Sequence, residues 1–159
     1  MPNRARVDLD RIDRAILAVL SENARTPNNV IAEKVGIAPS TCLDRVRSLR
    51  TRGVIRRYRT ELDFASLGLA MEAMIAVRLQ AHSRDQVDSF LGAVQKLPNT
   101  IETFHVGGVN DFLIHVATRD SEALRDYVLD NLTTHPAVLH TETSLIFGTI
   151  RGTGLLPEE

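Results

Sequence analysis

At 159 residues, 43 % of them apolar and 25 % charged, the chain can form one medium or two small packed domains and is too apolar to be disordered by composition. The net charge of −1 conceals an imbalance: residues 1–60 hold thirteen Lys and Arg against six Asp and Glu, a balance of +7, and residues 61–159 hold six against fourteen, a balance of −8. No apolar run nears the ~18 residues of a membrane span, the first residues lack an apolar segment of signal type, and the single cysteine, Cys42, forms no internal disulfide, so the expected location is the cytoplasm.

Leu9, Ile12, Ile16, Val19 and Leu20 recur at three and four residues, which predicts an amphipathic helix over about Asp10–Glu22. Asn23-Ala24-Arg25 ends it. Thr26 reads as the N-cap of a second helix with Pro27 at its first position, running over about Asn28–Val35 and burying Ile31, Ala32 and Val35. Gly36 suits the left-handed stop of that helix. A third helix starts near Pro39, carries the stripe Cys42, Leu43, Val46 and Leu49, and ends at Gly53. Val54–Arg59 has β character. These features place a first domain over residues 1–60 and a linker over 61–69.

From Met71 the period is two, with Ala73, Ile75, Val77 and Leu79 alternating with Glu72, Met74, Ala76 and Arg78. An amphipathic helix over Arg84–Lys96 follows, then a strand over Ile101–Val106, a turn over Gly107–Asp111 and a strand over Phe112–Ala117. Ser121 is the expected cap of a helix reaching Leu132, and Val138–Phe147 reads as the last strand. The order βαββαβ over residues 70–159 is a split βαβ of ferredoxin-like type, which makes the fold class α+β.

Two helices joined by a tight glycine turn make a helix-turn-helix, whose second helix enters the major groove. On the third helix of this chain the stripe turns inward. Ser40, Thr41, Asp44, Arg45, Arg47, Ser48, Thr51 and Arg52 face outward. Arginine can take guanine O6 and N7 together, and Ser and Thr reach phosphates or bases. Arg56, Arg57 and Arg59 would meet the flanking backbone as a short wing does, and Thr26 lies at the entry of the second helix. Asp44 would repel phosphate unless it accepts from a cytosine amine or orients Arg45 or Arg47. Cys42 reads as a small buried hydrophobe.

In the second domain Ile75, Val77, Phe104, Val106, Ile114 and Val116 are expected under the two helices. Met74, Arg78, Thr103, His105, Leu113, His115, His140, Glu142 and Ser144 are expected on the open face, which a second copy would cover. The three histidines read as polar interface residues, not as a metal site. The Gly107-Gly108 turn lets main chain approach a ligand, and its N–H groups can hold a carboxylate. Asp111 either receives an ammonium group or stabilises a plain hairpin.

Taken in order, Leu9-Asp10-Arg11-Ile12-Asp13-Arg14-Ala15-Ile16-Leu17, Asn23-Ala24-Arg25, Val35-Gly36-Ile37-Ala38-Pro39-Ser40-Thr41-Cys42-Leu43-Asp44-Arg45-Val46, Gly53-Val54-Ile55-Arg56-Arg57-Tyr58, Leu67-Gly68, Gly108-Val109-Asn110-Asp111-Phe112 and the tail Thr153-Gly154-Leu155-Leu156-Pro157 resemble the Lrp/AsnC, or feast/famine, transcription regulators. The resemblance spans nearly the whole chain. It implies a second domain of RAM or ACT type, a homodimer that assembles into tetramers or octamers, double-stranded DNA as partner, nucleoid association, no cofactor, and an amino acid or related metabolite as effector. It places effector contacts at Val106, Gly107, Gly108, Asp111 and Phe112, with Thr141 and Thr143 added from the last strand. Two departures stand out. Ala38 occupies the N-cap where the family has Ser, and Gly107 stands where Thr, Ser or Ala is usual.

The expected function is therefore effector-responsive regulation by DNA binding. An architectural DNA protein without an effector is the alternative, and a small dimeric ferredoxin-like enzyme a weaker one, since no nucleophile–base pair, phosphate loop or paired acids stand out.

Overall fold

The computed structural model describes residues 7–81, 83–150 and 152. Residues 7–61 fall in one compact unit and residues 62–150 in a second. The segment 61–69, read as a linker, falls mostly with the second unit and contains one 3-10 turn, Ala65–Leu67.

The first unit is three helices: α1 (Arg11–Glu22), α2 (Asn28–Val35) and α3 (Pro39–Thr51). Ile16, Leu17, Ile31, Ala32, Cys42, Val46 and Leu49 form its core, with Leu9, Val35, Ile37, Val54 and Ile55 packed around them. Asp10 caps α1, its side chain accepting the Asp13 N–H at 2.7 Å. Thr26 does not cap α2. Its hydroxyl donates instead to the Asn23 carbonyl at 2.8 Å, which closes the turn after α1, and Pro27 takes the cap position. Gly36 stops α2 at φ 71°, where a Cβ would be strained. Ala38 gives α3 no side-chain cap, a loss that typically costs ~1 kcal/mol. Pro39 at the first position has no N–H to leave orphaned, which softens that loss.

Val54–Arg59 is not a strand. Val54 and Ile55 pack on the helices, and Arg56–Arg59 continue as exposed chain without regular structure. A strand needs a neighbouring edge for its N–H and C=O groups, and this segment has no β partner among the described residues of its own chain.

The second unit is β1 (Met71–Leu79), α4 (Arg84–Val94), β2 (Thr100–His105), β3 (Phe112–Thr118), α5 (Ser121–Tyr127) and β4 (Val138–Ile146). The sheet is antiparallel in the order β2-β3-β1-β4. Ala73, Ile75, Val77, Phe112, Ile114 and Val116 meet Phe90 and Val94 of α4 and Leu124 and Tyr127 of α5. Both helices therefore cover one face, as the βαββαβ order requires. Asp120, not Ser121, caps α5, accepting the Ala123 N–H at 2.8 Å. The α-helix stops at Tyr127 instead of Leu132, and Val128–Thr133 continues as a wider π turn. There Asn131, Thr133 and Thr134 side chains bond to carbonyls four residues back and compete with the regular ladder.

The expected phase of β2 is reversed. Thr103 pairs with Ile114 and His105 with Phe112, so these two take the helix side of the sheet, Thr103 half-buried and His105 exposed with its ring stacked on Phe112 at 4.7 Å. Phe104 pairs with Leu113 on the open face and is 42 % exposed. A register shift between Thr100 and Glu102 supplies the cause: one extra residue in a strand turns every later side chain over.

Candidate DNA-binding face and effector turn

Every third or fourth residue of α3 is committed to the core. Cys42, Val46 and Leu49 are buried. Opposite them Ser40, Thr41, Asp44, Arg47 and Ser48 are all exposed, together on one helix face. Arg47 Nη1 lies 3.9 Å from Asp44 Oδ1 in a loose, solvated pair. Arg56 and Arg57 are exposed just beyond the helix.

Arg45 and Arg52 point elsewhere. Seven residues apart, they sit on the flank of α3, about 60–80° from its buried stripe at 100° per residue. Arg45 Nη1 reaches Asp10 Oδ2 at 2.6 Å and Asp13 Oδ1 at 2.8 Å. Arg52 Nη1 lies 3.4 Å from Asp13 Oδ2, and its Nη2 donates to the Asp8 carbonyl. Asp10 is held below the usual aspartate range, first by the Asp13 N–H and then by Arg45. Hydrogen bonds to the Asp10 and Asp13 carboxylates raise Arg45 above its ordinary value. The acidic half of this network went unnoticed in the sequence. Its signal is two acids three residues apart in a first helical turn, set against two arginines a double turn apart.

In the second unit the turn after β2 is closed by the Val106 N–H on the Asp111 carbonyl at 2.9 Å. Gly108 has φ 133°, which demands glycine. Gly107 has no such demand, and a Cβ there would meet open space, so the glycine leaves the turn uncovered. Val109 at its tip is 77 % exposed. Asp111 is buried. Its Oδ2 accepts the Leu79 N–H at 2.8 Å and its own N–H donates to Val77 O at 2.9 Å. It ties β1 to the turn. Phe112 is fully buried in the core.

Thr141 and Thr143 are not gathered with that turn within one chain. They pair with Val77 and Ile75, which puts β1 between them and β3, about 10 Å across the sheet. Thr143 lines a cavity of about 280 Å³ with Ser121, Leu124, Arg125, Val128 and Leu129.

The open sheet face carries Glu72, Met74, Ala76, Arg78, Phe104, Leu113, His115, His140, Glu142 and Ser144. His115 Nε2 and Glu72 Oε2 are 2.9 Å apart. Of the three histidines expected there, His105 lies on the other face. Among the described residues no group of three His, Cys, Asp or Glu could hold a metal ion, and no helix is long and apolar enough to cross a membrane. The tail Thr153–Pro157 lies outside the described residues.

Comparison with known proteins agrees with this division. A winged helix-turn-helix DNA-binding profile matches residues 9–56, and the Lrp/AsnC ligand binding domain matches residues 72–156. The HTH-type transcriptional regulator AldR of Mycolicibacterium smegmatis is 48 % identical over 149 residues, 94 % of this chain and 86 % of that one. The leucine-responsive regulatory protein of Rhizobium meliloti is 37 % identical over 80 % of this chain and 82 % of its own. A transcriptional regulator of Neisseria meningitidis solved as its L-Met complex aligns with a TM-score of 0.86 and 33 % identity, covering 94 % and 97 % of the two chains. A helix-turn-helix followed by a ligand-binding α+β domain defines a DNA-binding transcriptional regulator that responds to a small molecule. The chain belongs to the Lrp/AsnC family.

Proposed function

We propose that this regulator reads its operator with the exposed face of α3 and answers to a free amino acid. Ser40, Thr41, Arg47 and Ser48 make the base and nearby phosphate contacts, with Asp44 orienting Arg47. Arg56 and Arg57 add flanking phosphate contacts. The observation that carries this reading is the coincidence, on one helix, of a buried apolar stripe and an uncovered polar face containing Arg47.

The amino-acid effector rests on the ligand-binding domain, on the exposed Gly107-Gly108 turn, and on the relative solved with L-Met. The turn N–H groups suit a carboxylate. Asp111 shapes the turn, since a carboxylate already bound to a main-chain N–H is a poor sole receptor for an ammonium group. Two copies pair through the open sheet faces; Thr141 and Thr143 take the helix side with Val77 and Ile75, so that pairing does not bring them to the turn. Action is by binding in the cytoplasm, as expected of a relative of transcriptional regulators.

The test is titration of the full chain into a duplex from the region upstream of its own gene, with each of the twenty amino acids present in turn. Binding that one amino acid shifts is the expected result. Arg47→Ala should weaken binding at all duplexes and flatten the slope of log affinity against log salt by about one. A folded protein that binds no duplex at low salt overturns the reading. Binding indifferent to every amino acid leaves an architectural DNA protein.

A further inference from the structure

The most constrained polar cluster of the first unit is the contact between the start of α1 and the flank of α3. We propose that Arg45 and Arg52 are positioning residues: with Asp10 and Asp13 they fix the angle at which α3 is offered to the duplex, and they give no charge to the DNA. This rests on the reading of α3 as the recognition helix.

Four observations carry it. Asp13 is only 8 % exposed at its side chain, so its charge needs partners, and Arg45 and Arg52 supply both of them. Asp10 and Asp13 occupy the N-cap and third position of α1, where the helix dipole and the Asp13 N–H hold carboxylates in place. Arg45 reaches both acids from one nitrogen, and Arg52 adds the Asp8 carbonyl, so the chain entering α1 is tied down too. Finally, the apolar seam of α3 is thin. Cys42, Val46 and Leu49 are its buried members. Apolar contact has little directionality, whereas guanidinium–carboxylate pairs have a defined geometry. Three apolar side chains can seat a helix, but the paired charges set its rotation and tilt.

The charge count separates this role from phosphate binding. Two carboxylates face two guanidiniums, so the cluster is neutral and releases no counterion when DNA arrives. Arg47, exposed and loosely paired, remains a cation for DNA.

The experiment measures affinity against salt for the full chain, using the upstream duplex and a scrambled duplex of equal length. Arg45→Gln should keep the wild-type salt slope on both duplexes and lose about tenfold in preference for the upstream duplex. Arg45→Met, which keeps a stem of similar length but removes every donor to the two acids, should lose preference in the same way, and it serves if Arg45→Gln does not fold. Asp13→Asn should steepen the slope by about one and tighten the scrambled duplex, because a guanidinium is released. A slope flattened by about one in folded Arg45→Gln would make Arg45 a phosphate ligand and overturn the proposal. So would Asp13→Asn or Arg45→Met with wild-type slope and preference. Wild-type protein that binds neither duplex at low salt overturns the regulator reading itself, an outcome visible before any variant is made.

Discussion

Asp10 shows how much one side chain in this protein can do. One oxygen caps α1 and the other meets Arg45. Both contacts favour the carboxylate, so its pKa lies below the ordinary aspartate value of about 4. The unfolded chain therefore takes up this proton first as pH falls. The contribution to stability is complete above the unfolded value and is lost as pH falls through the folded one. Asp10→Asn keeps a capping oxygen but not the charge. Urea denaturation should find the variant less stable than wild type at pH 7, with the gap narrowing as pH falls below the ordinary aspartate value of about 4. A gap that does not change with pH would mean the charge is not the cause. Cys42 illustrates the opposite situation. It is fully buried, and desolvation pushes its thiol above the ordinary range, as its place in the apolar stripe implies. That burial was legible from spacing alone. The Arg45 partners were not, because helical periodicity tells which side of a helix a residue takes and nothing of what comes to meet it.

The elements were legible in type and order, and their ends and faces less so. Helix stops followed local chemistry wherever a glycine supplied a left-handed residue, as at Gly36. Caps were harder: Asp120 and Ser121 are neighbours of equal capping propensity, and only the direction of the incoming chain selects Asp120. The face of β2 depended on a single register shift near its start. Period-two reading assumes an unbroken ladder, and no residue type in Thr100–Glu102 signals the break. At the other end of that hairpin, Asp111 holds two strands together through the buried Leu79 N–H. Asp111→Ala leaves that donor without its partner and should cost about 1–3 kcal/mol. Asp111→Asn, which retains an acceptor oxygen, should lose less. Chemical denaturation of the two variants checks the order, and equal losses would show that the charge matters more than the hydrogen bond.

At the level of the whole molecule, the two halves divide by charge as well as by contact. The basic residues gather in the helical unit, and the acidic excess lies in the sheet domain. A polyanion such as DNA is thereby drawn to one half and repelled by the other. The sheet domain leaves one face without helices. On it Phe104 is 42 % exposed beside Leu113, Met74 and Ala76, with the His115–Glu72 pair in the same layer. If this face pairs with a second copy, Phe104→Glu places a charge from each copy in that contact. Light scattering should then find a smaller species than for wild type, with circular dichroism unchanged. An unchanged mass would move the dimer contact elsewhere.

Residue order alone settled what depends on neighbours along the chain: two domains of opposite charge, a helix-turn-helix, the βαββαβ succession, and the polar face of α3. Each follows from periodicity, turn chemistry or composition, all of which act over a few residues. Tertiary structure decided what depends on residues that are distant in the chain and adjacent in space. It turned Arg45 and Arg52 toward Asp10 and Asp13, gave Asp111 to the Leu79 N–H, and set Phe104 on the open side of the sheet. The reason is the same in each case: a charge or a buried donor is satisfied by whichever partner the packing delivers, and the packing is a property of the folded chain.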